Sequence, residues 1–170
     1  PININFLLRT IVQWNKRKKF NYICISNVHS CVLSFWDKKF KKAHNSAGLA
    51  LADGRPIYWA LRLLGSKNAK HLPGHYVTEK ICELAHQNKL SVGFYGSTND
   101  NLNKIKINLK NKYKKLKIKY IFSPPFRKLK NFEDKKIIQQ INKSKVDILF
   151  VCLGCPKQEL WMYQHRNKLQ

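Results

Sequence analysis

The sequence predicts an α/β fold in which a mostly parallel sheet is covered by helices on both faces. Short apolar runs alternate with longer amphipathic ones from end to end. Only a few residues connect each run to the next. Neither an internal repeat nor a linker interrupts the 170 residues, so they read as one domain, long enough to bury a core.

The N-terminal residues 1–14 are apolar but interrupted by Asn3, Asn5 and Arg9, with a basic run behind them. That is not the charge order of a signal peptide, and no cleavage site follows. Residues 22–26 (Tyr-Ile-Cys-Ile-Ser) read as a buried strand and residues 33–44 as a helix. Residues 49–52 form a short strand ended by the turn signal Asp53-Gly54. Pro56 suits the first turn of a helix that runs to Leu64 and stops at Gly65. Residues 75–88 are helical, with Ile81, Leu84 and Ala85 on one face, and residues 91–95 are a strand. A strongly basic helix at 101–115 spaces Leu102, Ile105 and Leu109 helically. A strand at 118–122 is closed by Ser123-Pro124-Pro125, a helix follows at 132–143, the most apolar strand at 146–153, and a final helix at 156–168.

Composition narrows the function classes. Hydrophobic residues make up 44% of the chain and aromatics 12%, which excludes a disordered chain. No apolar run approaches the roughly 18 residues needed to cross a bilayer, and a cytoplasmic location is expected. The 5 cysteines are odd in number and irregular in spacing, so they do not form a disulfide framework. The 33 Lys+Arg against 9 Asp+Glu leave a net charge of +24. Most of these cations are lysines of the kind that solvate helix faces. What remains is a preference for anionic partners: phosphorylated ligands, acidic lipid headgroups or nucleic acid.

In a parallel sheet, ligands bind outside the carboxyl ends of the strands. The candidate contacts are therefore Ser26 and Asn27, Asp53 and Gly54, Gly96 and Ser97, residues 123–127 with Arg127, and residues 154–159 with Lys157 and Gln158. Asp53 is well placed as a general base; equally, an Asp-Gly turn there would cap the helix that begins near Pro56. The loop Gly93-Phe94-Tyr95-Gly96-Ser97 exposes backbone N–H groups toward an anion at a helix start, but lacks the third glycine of a dinucleotide fingerprint and a Walker lysine. Glu159 in the first turn of the last helix complements the helix dipole, whereas Lys157 opposes it unless an anion is bound. Cys152-Leu153-Gly154-Cys155 has no second pair to complete a zinc site, so it reads as a tight strand-to-helix turn. His29 and His71 fall near strand ends or loops and read as structural or crevice-lining.

Taken in order, these strand ends resemble the WecG/TagA/CpsF family of bacterial glycosyltransferases, glycosyltransferase family 26. The matching stretches are residues 23–29 (Ile-Cys-Ile-Ser-Asn-Val-His), 52–65 from Ala-Asp-Gly-Arg-Pro to Leu-Leu-Gly, 93–97, 123–127 (Ser-Pro-Pro-Phe-Arg) and 153–162 around Pro156-Lys157-Gln158-Glu159. The resemblance covers about residues 20–168. It implies a Rossmann-like α/β domain, without a metal or other cofactor, that transfers a sugar with inversion. The donor would be a UDP-sugar of the N-acetylmannosamine type, and the acceptor a polyprenyl-diphosphate-linked saccharide at the inner face of the cytoplasmic membrane. The products would be teichoic-acid linkage units or other surface polysaccharides. Asp53 matches the family's general base, Ser26 keeps the hydroxyl of a family threonine, and Gln158 matches an active-site glutamine. His71 stands where the family commonly has an arginine, which bears on a phosphate or substrate contact.

The family continues past the last helix with a strand and a basic tail. The chain, ending at Gln170, is therefore expected to lack that segment, to leave its crevice open and to be a poor catalyst. Expected partners are the UDP-sugar, the lipid-linked saccharide and an anionic membrane surface; association of identical copies is left open. A nucleotide-sugar-binding module without turnover is the alternative. Nucleic-acid binding is set aside, because no helix-turn-helix, RNP or zinc-finger signature accompanies the charge.

Overall fold

A computed structural model describes residues 2–18 and 20–169. The protein is α/β and Rossmann-like: every strand pairing among the described residues is parallel, and helices flank the strands. The chain divides into two compact units, one of residues up to 81 together with 155–166, the other of residues 82–154 together with those after 166.

The first unit begins with α1 (Ile4–Lys16), where no helix was expected. Asn3 caps it by accepting the Phe6 N–H at 2.9 Å, and Leu7 and Ile11, one turn apart, are buried. The polar residues that interrupt the apolar run lie off that buried stripe. Next, β1 (Ile23–Ser26) pairs in parallel with β2 (Leu49–Ala52), placing Ser26 opposite Ala52. The segment between them is two helices, α2 (Val28–Trp36) and α3 (Lys38–Asn45), and not the single helix expected at 33–44. Two caps explain the correction. Asn27 and Ser30 form a reciprocal capping box that starts α2 immediately after β1. Asp37 then breaks the helical run, its carboxylate accepting the N–H groups of Lys39 at 2.7 Å and Phe40 at 3.1 Å. The helix α4 (Arg55–Leu63) buries none of its residues, and α8 (Lys157–His165) packs on α3.

The second unit contains β3 (Ser91–Gly96), β4 (Lys117–Phe122) and β5 (Ile148–Cys152), ordered β4-β3-β5. Every residue of the central β3 is buried, as a strand covered on both faces should be. Its polar Ser91 is satisfied by Asp147: the carboxylate accepts both the backbone N–H and the hydroxyl of Ser91. The helices α6 (Asn99–Lys112) and α7 (Asn131–Ser144) complete this unit. The basic α6 buries Leu102, which packs with Phe94, Val92, Tyr113 and Leu116, while Phe150 stacks on Phe94 with ring centroids 5.0 Å apart. The helix α5 (Gly74–Gln87) starts in the first unit and ends in the second.

Candidate active site

In the first unit the carboxyl ends of β1 and β2 lie side by side, and five of the expected site residues gather there. The Asp53 N–H donates to the Ser26 carbonyl at 2.8 Å, extending the ladder by one rung past the strands. The Leu72 N–H donates to the Ala52 carbonyl at 2.9 Å, which lays the segment carrying His71 along the end of β2. Ser26, Asn27, Asp53, Gly54 and His71 therefore share one edge.

Two readings of Asp53 were open, and the geometry separates them. The N-cap of α4 is Gly54, which makes no side-chain cap bond, and Pro56 sits in the first turn. Asp53 thus does not cap the helix. Its half-buried carboxylate has no hydrogen-bond or ion-pair partner among the described residues. Gly54 takes φ +88°, ψ 140°, a conformation that L side chains rarely adopt, and so turns the chain sharply after Asp53. Asn27 is exposed, but its side-chain oxygen is committed to the α2 cap; its amide N–H₂ remains for a ligand.

The α8 start supplies Lys157, exposed at the first helical position, and the half-buried Gln158. Gln158 Nε2 donates to Glu159 Oε1 at 2.9 Å. Glu159, read from sequence as an ordinary first-turn acid, is instead only 1% exposed, and its Oε2 has no partner among the described residues. Its charge reaches several neighbours. Burial first, and then Glu159, pushes the Cys155 thiol up to about 11 and the Cys24 thiol up to about 12. His44 lies in the same neighbourhood, its Nε2 2.8 Å from the Ser26 hydroxyl oxygen. Burial holds the His44 imidazole below its ordinary range, and Glu159 opposes that shift. His44 did not stand out in the sequence, and Glu159 stood out there only as a first-turn acid within the Pro156–Glu159 motif. His44 reads there as the last residue of a helix, and only its place on the face of α3 that packs on α8 brings it to Ser26.

In the second unit Gly96 and Ser97 end β3. Gly96 is buried with φ +110°, and a Cβ there would lie 2.4 Å from the Cys152 carbonyl oxygen. That close approach demands glycine at this position whether or not a ligand is bound. The Ser97 N–H donates to the Cys152 carbonyl at 2.8 Å, and the Ser97 carbonyl accepts the Ser123 hydroxyl at 2.7 Å. Thr98 then caps α6. Arg127 is exposed and held in a two-pronged pair with Glu133, both N···O distances 2.7 Å. An anion at Arg127 must replace that carboxylate or share the guanidinium with it. The Cys152 thiol is pushed up by burial, which makes it a poor nucleophile. Among the described residues no group of three or more His, Cys, Asp or Glu side chains could hold a metal ion, and no helix is long and apolar enough to cross a membrane.

Comparison with known proteins gives a family and a set of relatives. The family model described as Glycosyl transferase WecG/TagA/CpsF family matches residues 1–170. The chain is similar to the N-acetylglucosaminyldiphosphoundecaprenol N-acetyl-beta-D-mannosaminyltransferase of Staphylococcus aureus strain NCTC 8325 / PS 47, with 27% identity over 126 residues. That alignment covers 74% of the chain and 48% of the relative, and the same-named protein of strain MRSA252 matches to the same extent. The chain spans about half the length of the curated relatives it matches.

Proposed function

The chain belongs to the glycosyl transferase WecG/TagA/CpsF family, and we propose that it serves the inverting transfer of an N-acetylmannosamine-type sugar from a UDP-sugar to a polyprenyl-diphosphate-linked saccharide. The observation that carries this reading is Asp53: a half-buried carboxylate at a strand's carboxyl end, with no cap bond or ion pair among the described residues, beside Ser26 and the segment of His71. Family membership and the relatives' names support the N-acetylmannosaminyl group and the diphosphoundecaprenol-linked acceptor.

In this reading an acceptor hydroxyl gives its proton to the Asp53 carboxylate as its oxygen bonds to the anomeric carbon. The bond from that carbon to the UDP oxygen breaks, and UDP leaves with the electron pair. Attack from the face opposite the leaving group inverts the anomeric centre. Lys157, at the start of α8, is the first unit's cation for the departing diphosphate, and Gln158 and Ser26 supply polar contacts. No metal enters the scheme, so chelation with EDTA is expected to leave transfer unchanged. The lipid-linked acceptor places the work at a membrane surface, approached peripherally.

The test supplies UDP-N-acetylmannosamine and a GlcNAc-diphosphate-lipid acceptor, with the disaccharide-lipid product read by mass. Asp53→Asn is expected to lower turnover by about 10²-fold or more while UDP affinity, read by calorimetry, stays within a few-fold. Unchanged turnover in Asp53→Asn removes Asp53 as the base. UDP binding without any product from the wild-type chain favours a nucleotide-sugar-binding module.

A further inference from the structure

The Ser26 hydroxyl is buried, 7% exposed, and His44 Nε2 is its hydrogen-bond partner at 2.8 Å among the described residues. A buried hydroxyl proton needs an acceptor. In the ligand-free protein the arrangement that satisfies it has Ser26 donating to an unprotonated Nε2, with the ring proton on Nδ1. Protonating the ring reverses the bond: Nε2–H then donates to the Ser26 oxygen, and the Ser26 hydrogen is left to find an acceptor elsewhere. A ligand oxygen at the end of β1 is that acceptor.

We propose that His44 is a positioning residue: the proton on its imidazole, with Glu159 behind it, sets whether the Ser26 hydroxyl donates to His44 or to an anionic ligand. The surroundings favour such a switch. From α8 the buried Glu159 is the charge among the described residues that acts on His44. From β1 come Ser26 and Cys24, and from the turn before α8 comes Cys155; both thiols are pushed up, to about 12 and about 11, and stay neutral. The helix α2, which also packs on α3, carries His29 and Cys31, and neither perturbs His44. Phe40, a turn earlier on α3, lies against the imidazole with ring centroids 5.9 Å apart. Burial keeps the ring neutral at rest, while Glu159 keeps protonation within reach. A nucleoside diphosphate that accepts from Ser26 stabilises the protonated ring, so binding takes up a proton. By linkage the ligand's affinity then falls with rising pH, by at most about tenfold per unit. The proposal rests on the assignment of Ser26 to the donor site made above.

Two measurements test it. The first follows the His44 ring nitrogens by ¹⁵N NMR across pH without ligand. A neutral ring protonated on Nδ1 is expected, with a midpoint below the ordinary histidine value that falls further in Glu159→Gln. A neutral ring carrying its proton on Nε2 overturns the proposal, since Ser26 would then face the same donor at every pH. The second measures UDP binding by calorimetry in buffers of different ionisation enthalpy. Proton uptake approaching one per UDP is expected near the midpoint in wild type, with the excess lost in His44→Gln, where UDP's own titration remains as the control. Equal uptake in wild type and His44→Gln overturns the proposal. If UDP does not bind at all, the donor-site reading fails, and the NMR measurement still decides the role of His44. Should Glu159→Gln not fold, the wild-type tautomer and the His44→Gln comparison decide it.

Discussion

Single residues in this protein serve geometry before they serve chemistry, and Gly96 is the sharpest case. Any side chain there meets the Cys152 carbonyl oxygen at 2.4 Å, at a φ of +110°. Gly96→Ala is therefore expected to destabilise the fold by about 2 kcal/mol or more, because backbone strain and a backbone clash add; urea unfolding monitored by fluorescence measures it. A loss under a few tenths of a kcal/mol would mean that β3 and β5 can spread apart at this rung. Arg127 and Glu133 make a second case. The guanidinium beside Glu133, helped by the Lys130 N–H, holds its carboxyl down at about 2. A depressed acid stabilises above its ordinary value of 4.5 and loses that contribution as pH falls through about 2. An NMR titration of the Glu133 carboxyl should show that low midpoint, and Arg127→Ala should return it most of the way to ordinary. A wild-type midpoint near 4.5 would mean that the exposed pair is not populated in solution.

At the scale of elements, the strands and the bounds of α4, α5 and α7 were legible, while α1 and the break between α2 and α3 were not. The strands among the described residues were readable as apolar runs, with Asp53-Gly54, Gly96 and Ser123-Pro124 closing β2, β3 and β4. The helix α1 was missed because its signal is local: an Asn3 cap and only two buried residues, Leu7 and Ile11. The α2–α3 break was missed because Asp37 reads as one more polar residue in an amphipathic run, and only its carboxylate geometry makes it a cap. The site divides in the same way. Ser26 and Asp53 stand at strand ends and Gln158 in the first turn of α8, as the sequence places them, because those positions are set locally. His44 and Glu159 depend on how α3 packs on α8, which no local pattern encodes. The Asp37 cap is testable: Asp37→Ala is expected to cost about 1 kcal/mol, and Asp37→Asn or Asp37→Ser to recover most of it in urea melts. Equal stability of Asp37→Ala and wild type would show that α2 and α3 continue as one helix.

For the molecule as a whole, charge is the dominant property. Thirty-three cationic side chains face nine acidic ones, and among those nine Glu159 is buried. Helices α3, α6 and α7 carry lysines on exposed faces, and beside α3 the helix α2 leaves Phe35 and Trp36 78% and 77% exposed. Lysines attract acidic headgroups from a distance that salt controls, while exposed aromatic rings suit the headgroup layer once contact is made. Each Lys or Arg near an anionic surface contributes about 1 kcal/mol at low salt, so even a handful of them suffices for measurable adsorption. Sedimentation with phosphatidylglycerol vesicles is therefore expected to capture the chain, with little capture by phosphatidylcholine vesicles and a steep loss as ionic strength rises. Phe35→Ser with Trp36→Ser should weaken capture at high salt, where the electrostatic part is screened, more than at low salt. Equal capture by neutral and anionic vesicles would show that charge does not bring this protein to membranes. Unchanged capture by the double variant at high salt would remove α2 from the contact while leaving the charge argument standing.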